Sequence, residues 1–256
     1  MNIIVTNDDG IFSPGLAAAA EAASGYGNLF IAAPSKQKTA SGRSLIGDKD
    51  EFFHETVINY KEKKFKAFHI DCTPALVLKM AFQTVFRGVK FDLAVSGINY
   101  GENIGSDVTI SGTLGAAFEA SSIGIPAIAA SLQTSLDNHF HYGEENWESA
   151  IYFLKKYITK FSEKKRFSNF QILKLDIPSG ASESTAAEIT RLTDKPYYKN
   201  LVENGTSSSR VSKLKVSINK VEHDEGTDAH TLNVKKMVSL TPLSLDFSSK
   251  AVTSLF

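Results

Sequence analysis

The chain has 256 residues, 42% of them hydrophobic and 22% charged, which suits one large domain with a substantial core. Lys plus Arg and Asp plus Glu both number 28, so no net basic field gathers nucleic acid, and partners of that kind are disfavoured. Cys72 is the single cysteine, which excludes an intramolecular disulfide and a cysteine-based zinc site and leaves a small buried hydrophobe as its natural role.

Apolar runs and helical stretches alternate in the manner of βαβ units. Asn2–Thr6 reads as a buried strand, and Pro14–Ser24 as an alanine-rich helix with proline at its favoured start. Asn28–Ala33 is a second strand, closed by Pro34. The polar segment Ser35–Asp50 reads as a functional loop beyond that strand. Phe52–Tyr60 and Phe65–Ile70 form a hairpin around the charged Lys61–Lys64, and Thr73–Phe86 a helix capped by Thr73. Asp92–Ser96 is a strand running into the glycine-rich Gly97–Gly112. Thr113–Ile123 is a helix of small residues, Pro126–Ser131 a strand, Trp147–Phe161 an amphipathic helix and Gln171–Ile177 a strand. Beyond Ser179 the texture becomes β-rich, with alternation over Val211–Val221 and Thr231–Leu243. The expected architecture is α/β: a Rossmann-like three-layer sandwich with a mostly parallel central sheet. Residues 1–178 form its core and 179–256 a β-rich C-terminal extension.

The first strand ends in Asp8-Asp9-Gly10. Ligands of open α/β sheets collect beyond the carboxyl ends of the strands. Two adjacent carboxylates there repel each other, and a hard divalent cation relieves the repulsion. The plain alternative is a solvated turn with one acid capping the helix. Two more loops bear on the choice. Gly97–Gly105 offers Asn99 and Asn103 as amide ligands, or is an ordinary glycine-rich turn. Ser111-Gly112-Thr113 opens a helix whose free amides suit a phosphate, or Ser111 is simply its cap. All these loops follow strands expected to be parallel, so they project to one sheet edge. Oxygen ligands for a metal beside donors for a phosphate are what metal-assisted hydrolysis of a phosphate ester requires. Walker, GxGxxG, GxSxG and HExxH patterns are absent. The six histidines read as incidental or surface groups.

Thr6-Asn7-Asp8-Asp9-Gly10 with Gly15, Ser96–Asn99 with Gly101 and Asn103, and Ser111–Thr113 with Gly115-Ala116-Ala117 resemble motifs of the SurE survival-protein nucleotidases. So do Gly124–Leu132, Glu225–Ala229 and Ser239–Asp246, in the same order over nearly the whole chain. The resemblance implies a phosphomonoesterase acting on nucleoside 5′- and 3′-monophosphates, and on short-chain polyphosphate. It implies one divalent ion per subunit, Mg²⁺ or Mn²⁺, on Asp8, Asp9, Thr39 and Asn99. Asp8 or Asp9 orients the attacking water, while Asn99, Ser111, Gly112 and Thr113 hold the phosphoryl oxygens. Counting from Ala33-Pro34 places Thr39 at the family's serine, with Ala40 at the following glycine; Ser41-Gly42 is the rival register. Where the family reads Gly-Thr-Pro-Ala-Asp, this chain has Cys72–Leu76. The resemblance also implies a homodimer or homotetramer assembled through the C-terminal segment.

Two other readings compete. A receiver-like signalling domain also carries an acidic pair but needs a further Asp at a later strand end, where this chain has Ser96-Gly97. A nucleotide sensor without turnover fits the phosphate site and leaves the acid pair unexplained. With no basic leader ahead of the first strand, and no stretch of ~20 uncharged apolar residues, the expected location is the cytoplasm, away from membranes.

Overall fold

The computed structural model describes residues 1–139, 141–164, 167 and 169–248; residues 249–256, the end of the expected C-terminal extension, lie outside them. In chain order the strands and helices are β1 (Asn2–Thr6), α1 (Pro14–Ala23), β2 (Asn28–Pro34), β3 (His54–Tyr60), β4 (Lys63–Ile70) and α2 (Pro74–Gln83). They continue with β5 (Leu93–Tyr100), α3 (Gly112–Ser122), β6 (Ala127–Leu132), α4 (Glu148–Lys164) and β7 (Ile172–Ile177). The last are β8 (Ala187–Ile189), β9 (Tyr198–Leu201), β10 (Lys215–Ile218), α5 (Asp228–Asn233) and β11 (Val238–Leu243).

Among the described residues, nine strands form one sheet in the order β3-β4-β2-β1-β5-β6-β7-β11-β8. Neighbours from β4 through β7 are parallel, whereas the β3–β4 hairpin and the β7–β11 pair are antiparallel. The central strands β1, β5 and β6 are buried on both faces, as a parallel sheet covered on both sides demands. Side chains of α1 and α4 join the core on one face, and those of α2 and α3 the core on the other. The expected three-layer α/β sandwich is therefore what the chain forms. From β1 the chain passes through α1 to β2 on one side, then returns to β5 on the other. Strand order reverses at β1, and the carboxyl ends of β1 and β5 border the crevice this creates.

Several boundaries differ from expectation for local reasons. β5 runs on to Tyr100, because a register shift against β6 between Ser96 and Asn99 absorbs the glycine-rich residues. Gly97 is required there, since a Cβ would lie 2.2 Å from the Ala130 carbonyl oxygen. The stretch expected to alternate from Thr231 begins instead with the end of α5, whose cap Thr227 accepts a hydrogen bond from the His230 amide. Six residues are too few for helical periodicity to show. The β-rich tail divides: β11, within the stretch expected to alternate, extends the main sheet beside β7, while β9 and β10 pair as a separate two-stranded arm. Thr73 stands at the start of α2, but its hydroxyl ties down the preceding loop: it donates to Ser44 O at 2.6 Å and accepts from Ile46 N at 3.1 Å. Cys72 is buried as expected, and burial pushes its thiol up to about 12. Among the described residues no helix is long and apolar enough to cross a membrane.

Candidate active site

The turn after β1 is closed by its own side chain. Asn7 donates from Nδ2 to Gly10 O at 3.0 Å and accepts at Oδ1 from Gly10 N at 3.2 Å. Gly10 adopts φ +105° with the backbone of Lys36 and Gln37 pressed against it. The loop after β2 is fastened to this turn by Lys38 N, which donates to Asp8 O at 2.7 Å. Asp8 and Asp9 are thus held rigidly, 6% and 3% exposed.

Their neighbours are neutral donors. Thr113 donates its hydroxyl to Asp8 Oδ1. Asp9 accepts from the Tyr100 amide at 3.2 Å and from the Gln37 side chain at 3.3 Å, and the Tyr142 hydroxyl donates to its carbonyl oxygen at 2.6 Å. Among the described residues no lysine or arginine pairs with either carboxylate. Burial accordingly pushes Asp8 up to about 6. Asp9 is driven well above the ordinary carboxylate range by burial first, and by the charge of Asp8 second.

The acid pair opens into a cleft of about 560 Å³, part of it open to solvent. Thr39, Asn99, Ser111, Glu102, His139 and Tyr198 are among its other walls. Loops that are far apart in sequence therefore meet at one sheet edge. Asn99 gives both protons of its amide to backbone carbonyls, to Tyr100 O at 3.1 Å and Gly101 O at 2.7 Å. This leaves Oδ1 as its functional atom, an acceptor suited to a cation. The expected donation from Asn99 to a phosphoryl group would require one of these two amide bonds to be given up. Among the described residues no three His, Cys, Asp or Glu side chains gather to hold an ion, at the cleft or elsewhere, so an ion here would depend on the neutral amide and hydroxyl oxygens beside the acid pair. Two uncompensated carboxylates with a neutral amide and a hydroxyl oxygen fit a hard divalent ion.

Thr39 is exposed in the cleft, whereas the rival Ser41 is turned inward. Its Oγ is buried without a partner, 2.6 Å from where a Cβ on Gly112 would stand. Ala40 takes φ 56°, the left-handed conformation expected of a glycine at that place. Ala40→Gly should therefore raise the unfolding free energy by about 0.5 kcal/mol after allowing for the freer unfolded chain. A lowered melting temperature in that variant would show that the strain is relieved elsewhere.

Ser111, Gly112 and Thr113 divide their work. Ser111 caps α3 by accepting from Leu114 N at 3.2 Å, and it also lines the cleft, with its own proton left to donate. Gly112 packs so closely on Asp8 that a Cβ would lie 2.6 Å from the Asp8 Cβ. Thr113 is fully buried and gives its hydroxyl proton to Asp8, an arrangement in which that hydroxyl positions the carboxylate. The amides of Gly112 and Thr113 likewise hold the Asp8 carboxyl down against the upward push of burial.

Sequence reasoning missed two parts of the site. His139, taken for an incidental histidine, lines the cleft because the loop after β6 folds back over it, and no spacing in the sequence announces that. Beneath the cleft, Lys174 is buried between Asp176 and Asp228, with its Nζ 3.1 Å from Asp228 Oδ2. Lys174 donates to Asn103 O at 2.7 Å, Asp176 accepts from Asn103 N at 2.9 Å, and Asp228 accepts from Gly105 N at 2.9 Å. This ion triad clamps the backbone of the turn after β5. A lysine and an aspartate two residues apart in the otherwise apolar run Ile172–Ile177 were its only signal.

Fold and cleft together define an open α/β protein with an oxygen-donor site at its strand crossover. Residues 3–199 match the model of the family described as survival protein SurE. The chain is 35% identical over 251 residues to the 5′-nucleotidase SurE of Thermococcus kodakarensis, spanning 98% of this chain and 95% of that protein. It is 36% identical over 255 residues to the 5′-nucleotidase SurE of Methanothrix thermoacetophila, spanning 97% and 94%. The crystal structure of the SurE protein from Aquifex aeolicus superposes with a TM-score of 0.75 at 28% identity, spanning 97% of this chain and 95% of that one. The chain belongs to the SurE family.

Proposed function

We propose that this protein is a metal-dependent phosphomonoesterase that hydrolyses nucleoside 5′- and 3′-monophosphates to nucleoside and phosphate, with short-chain polyphosphate as a further substrate. The relatives named 5′-nucleotidase support the substrate class. The observation that carries the chemistry is the buried pair Asp8 and Asp9, which has neutral donors around it and, among the described residues, no lysine or arginine partner. Asp8, Asp9, Asn99 Oδ1 and Thr39 would hold one Mg²⁺ or Mn²⁺. Such an ion supplies Lewis acidity toward the phosphoryl group and toward water.

The chain's own groups do the rest. Thr113 and the Gly112 and Thr113 amides fix the Asp8 carboxylate, and Tyr100, Gln37 and Tyr142 fix Asp9. One of the two carboxylates orients water for in-line attack on phosphorus. Ser111 donates its hydroxyl proton to a phosphoryl oxygen from the start of α3, where the helix dipole favours negative charge. A receiver-like alternative is disfavoured, since β5 ends in Asn99 and Tyr100 rather than in an acceptor carboxylate.

Exhaustive chelation should abolish release of phosphate from a panel of nucleoside monophosphates, and Mg²⁺ or Mn²⁺ should restore it. Undiminished turnover after chelation would overturn the metal role. Binding of nucleotides with no turnover under any metal would favour a sensor. The same reading makes the protein a cytoplasmic homodimer or homotetramer joined through its C-terminal segment, which light scattering on the purified chain would test.

A further inference from the structure

Apart from the acid pair, whose oxygens accept hydrogen bonds, two polar atoms of the cleft residues are buried without a partner. Glu102 is 4% exposed; its Oε1 accepts the Tyr197 hydroxyl at 2.6 Å, and its Oε2 has no hydrogen bond. His139 Nε2 is also buried and bare. The two residues flank one turn: Glu102 follows Gly101 directly, and a Cβ on Gly101 would stand 2.2 Å from His139 Nε2. Both line the cleft that holds Asp8, Asp9 and Asn99. Tyr198 stands behind them, edge-on to His139 with ring centroids 6.2 Å apart, its hydroxyl 3.2 Å from Glu102 O.

A buried carboxyl oxygen without a partner is costly unless a ligand supplies a hydrogen bond. A phosphoryl group brings acceptors and negative charge, so it cannot serve Glu102. A sugar hydroxyl can, and an adjacent hydroxyl can pair with the imidazole nitrogen in either tautomer. The sugar is also the part of a nucleotide joined directly to the phosphate. Glu102 lies three residues beyond Asn99 on the wall of the same cleft. Carboxylates read ribose hydroxyls in this way in dinucleotide-binding folds. We propose that Glu102 and His139 form a ribose-reading subsite that binds the vicinal hydroxyls of a nucleoside 5′-monophosphate and makes the protein prefer ribonucleotides to 2′-deoxyribonucleotides. The subsite rests on the nucleotidase reading above and specifies which nucleotides that site takes. Tyr197 preorients the carboxyl, so selectivity comes from leaving Oε2 unpaired when a hydroxyl is missing.

The test compares kcat/KM for 5′-AMP and 2′-deoxy-5′-AMP in the metal-loaded protein, with p-nitrophenyl phosphate as a sugar-free ester. The wild type should favour AMP by about tenfold to a hundredfold. Glu102→Ala should shrink that ratio to within about twofold by losing AMP turnover selectively. Glu102→Gln, which keeps an acceptor oxygen, should retain part of it, and His139→Ala should lower it as well. A wild type that does not distinguish the two nucleotides, or variants that lose both equally, would overturn the ribose subsite alone. A wild type inactive on every ester, p-nitrophenyl phosphate included, would instead remove the nucleotidase reading and the subsite with it.

Discussion

Asp8→Asn should lower turnover of nucleoside monophosphates by about a thousandfold while making the metal-free protein more stable at neutral pH. Both effects have one cause. Asp8 is buried, its partner Thr113 is neutral, and burial pushes its carboxyl up to about 6. In chelator-treated protein the folded chain therefore holds a proton between roughly pH 4 and 6 that the unfolded chain releases. Stability falls as pH rises through that window and stays low above it, by on the order of 2–3 kcal/mol for a shift of about two units. Asp9 is shifted in the same direction and adds to the slope. Asn carries no charge and can still accept from Thr113, so the variant should show a flatter pH profile and a higher neutral-pH melting temperature. Adding Mg²⁺ or Mn²⁺ should then stabilise the wild type and leave the variant little changed. Urea unfolding at pH 4.5 and 7.5, with and without metal, reads all of this. Equal pH dependence in the two proteins would refute the electrostatic account, and full turnover in Asp8→Asn would refute the catalytic one.

Lys174→Met should cost about 3–5 kcal/mol of folding stability, the largest loss expected from any single change beneath the site. The ammonium is the common partner of Asp176 and Asp228, all of them fully buried, and burial already pushes Asp176 up to about 6 despite that cation. Removing the lysine strands two carboxyl groups whose remaining partners are backbone amides of Asn103, Gly105, Thr193 and Ala229. Replacing the whole triad with apolar residues of similar volume should not recover the loss, because those amides would then lack acceptors. The same amides fix the turn carrying Asn103 and Gly105 beside the cleft, so a turnover defect should accompany the stability defect. Chemical denaturation that showed a loss below about 1 kcal/mol would mean the triad contributes little beyond its own desolvation.

Much of the fold was legible because its signals are local. The apolar run Ile3–Val5 of the first strand, the proline opening α1 and the amphipathic spacing of Trp147–Phe161 depend on near neighbours alone, and each stands in the structure within a few residues of expectation. The elements that were misjudged are those whose form depends on distant contacts or whose length hides their period. β5 extends to Tyr100 only because β6 accepts a shifted register. The alternation up to Leu243 did foretell β11, which adds to the sheet beside β7. α5 was missed because it is too short to show a helical period.

For the site, the sequence alone was enough to name the chemical inventory: adjacent carboxylates at a strand end, an amide and hydroxyls on glycine-rich loops, and the family those motifs belong to. Strand polarity sufficed to put them on one edge, since parallel strands all end on the same side. Tertiary packing decided what each group is free to do. Thr113 spends its hydroxyl on Asp8, Asn99 spends its amide protons on carbonyls, Ser41 is turned inward and Thr39 outward, and His139 is folded into the cleft. The physical reason is that a hydrogen-bonding group has few valences, and which of them are already taken is settled by neighbours that lie far away along the chain.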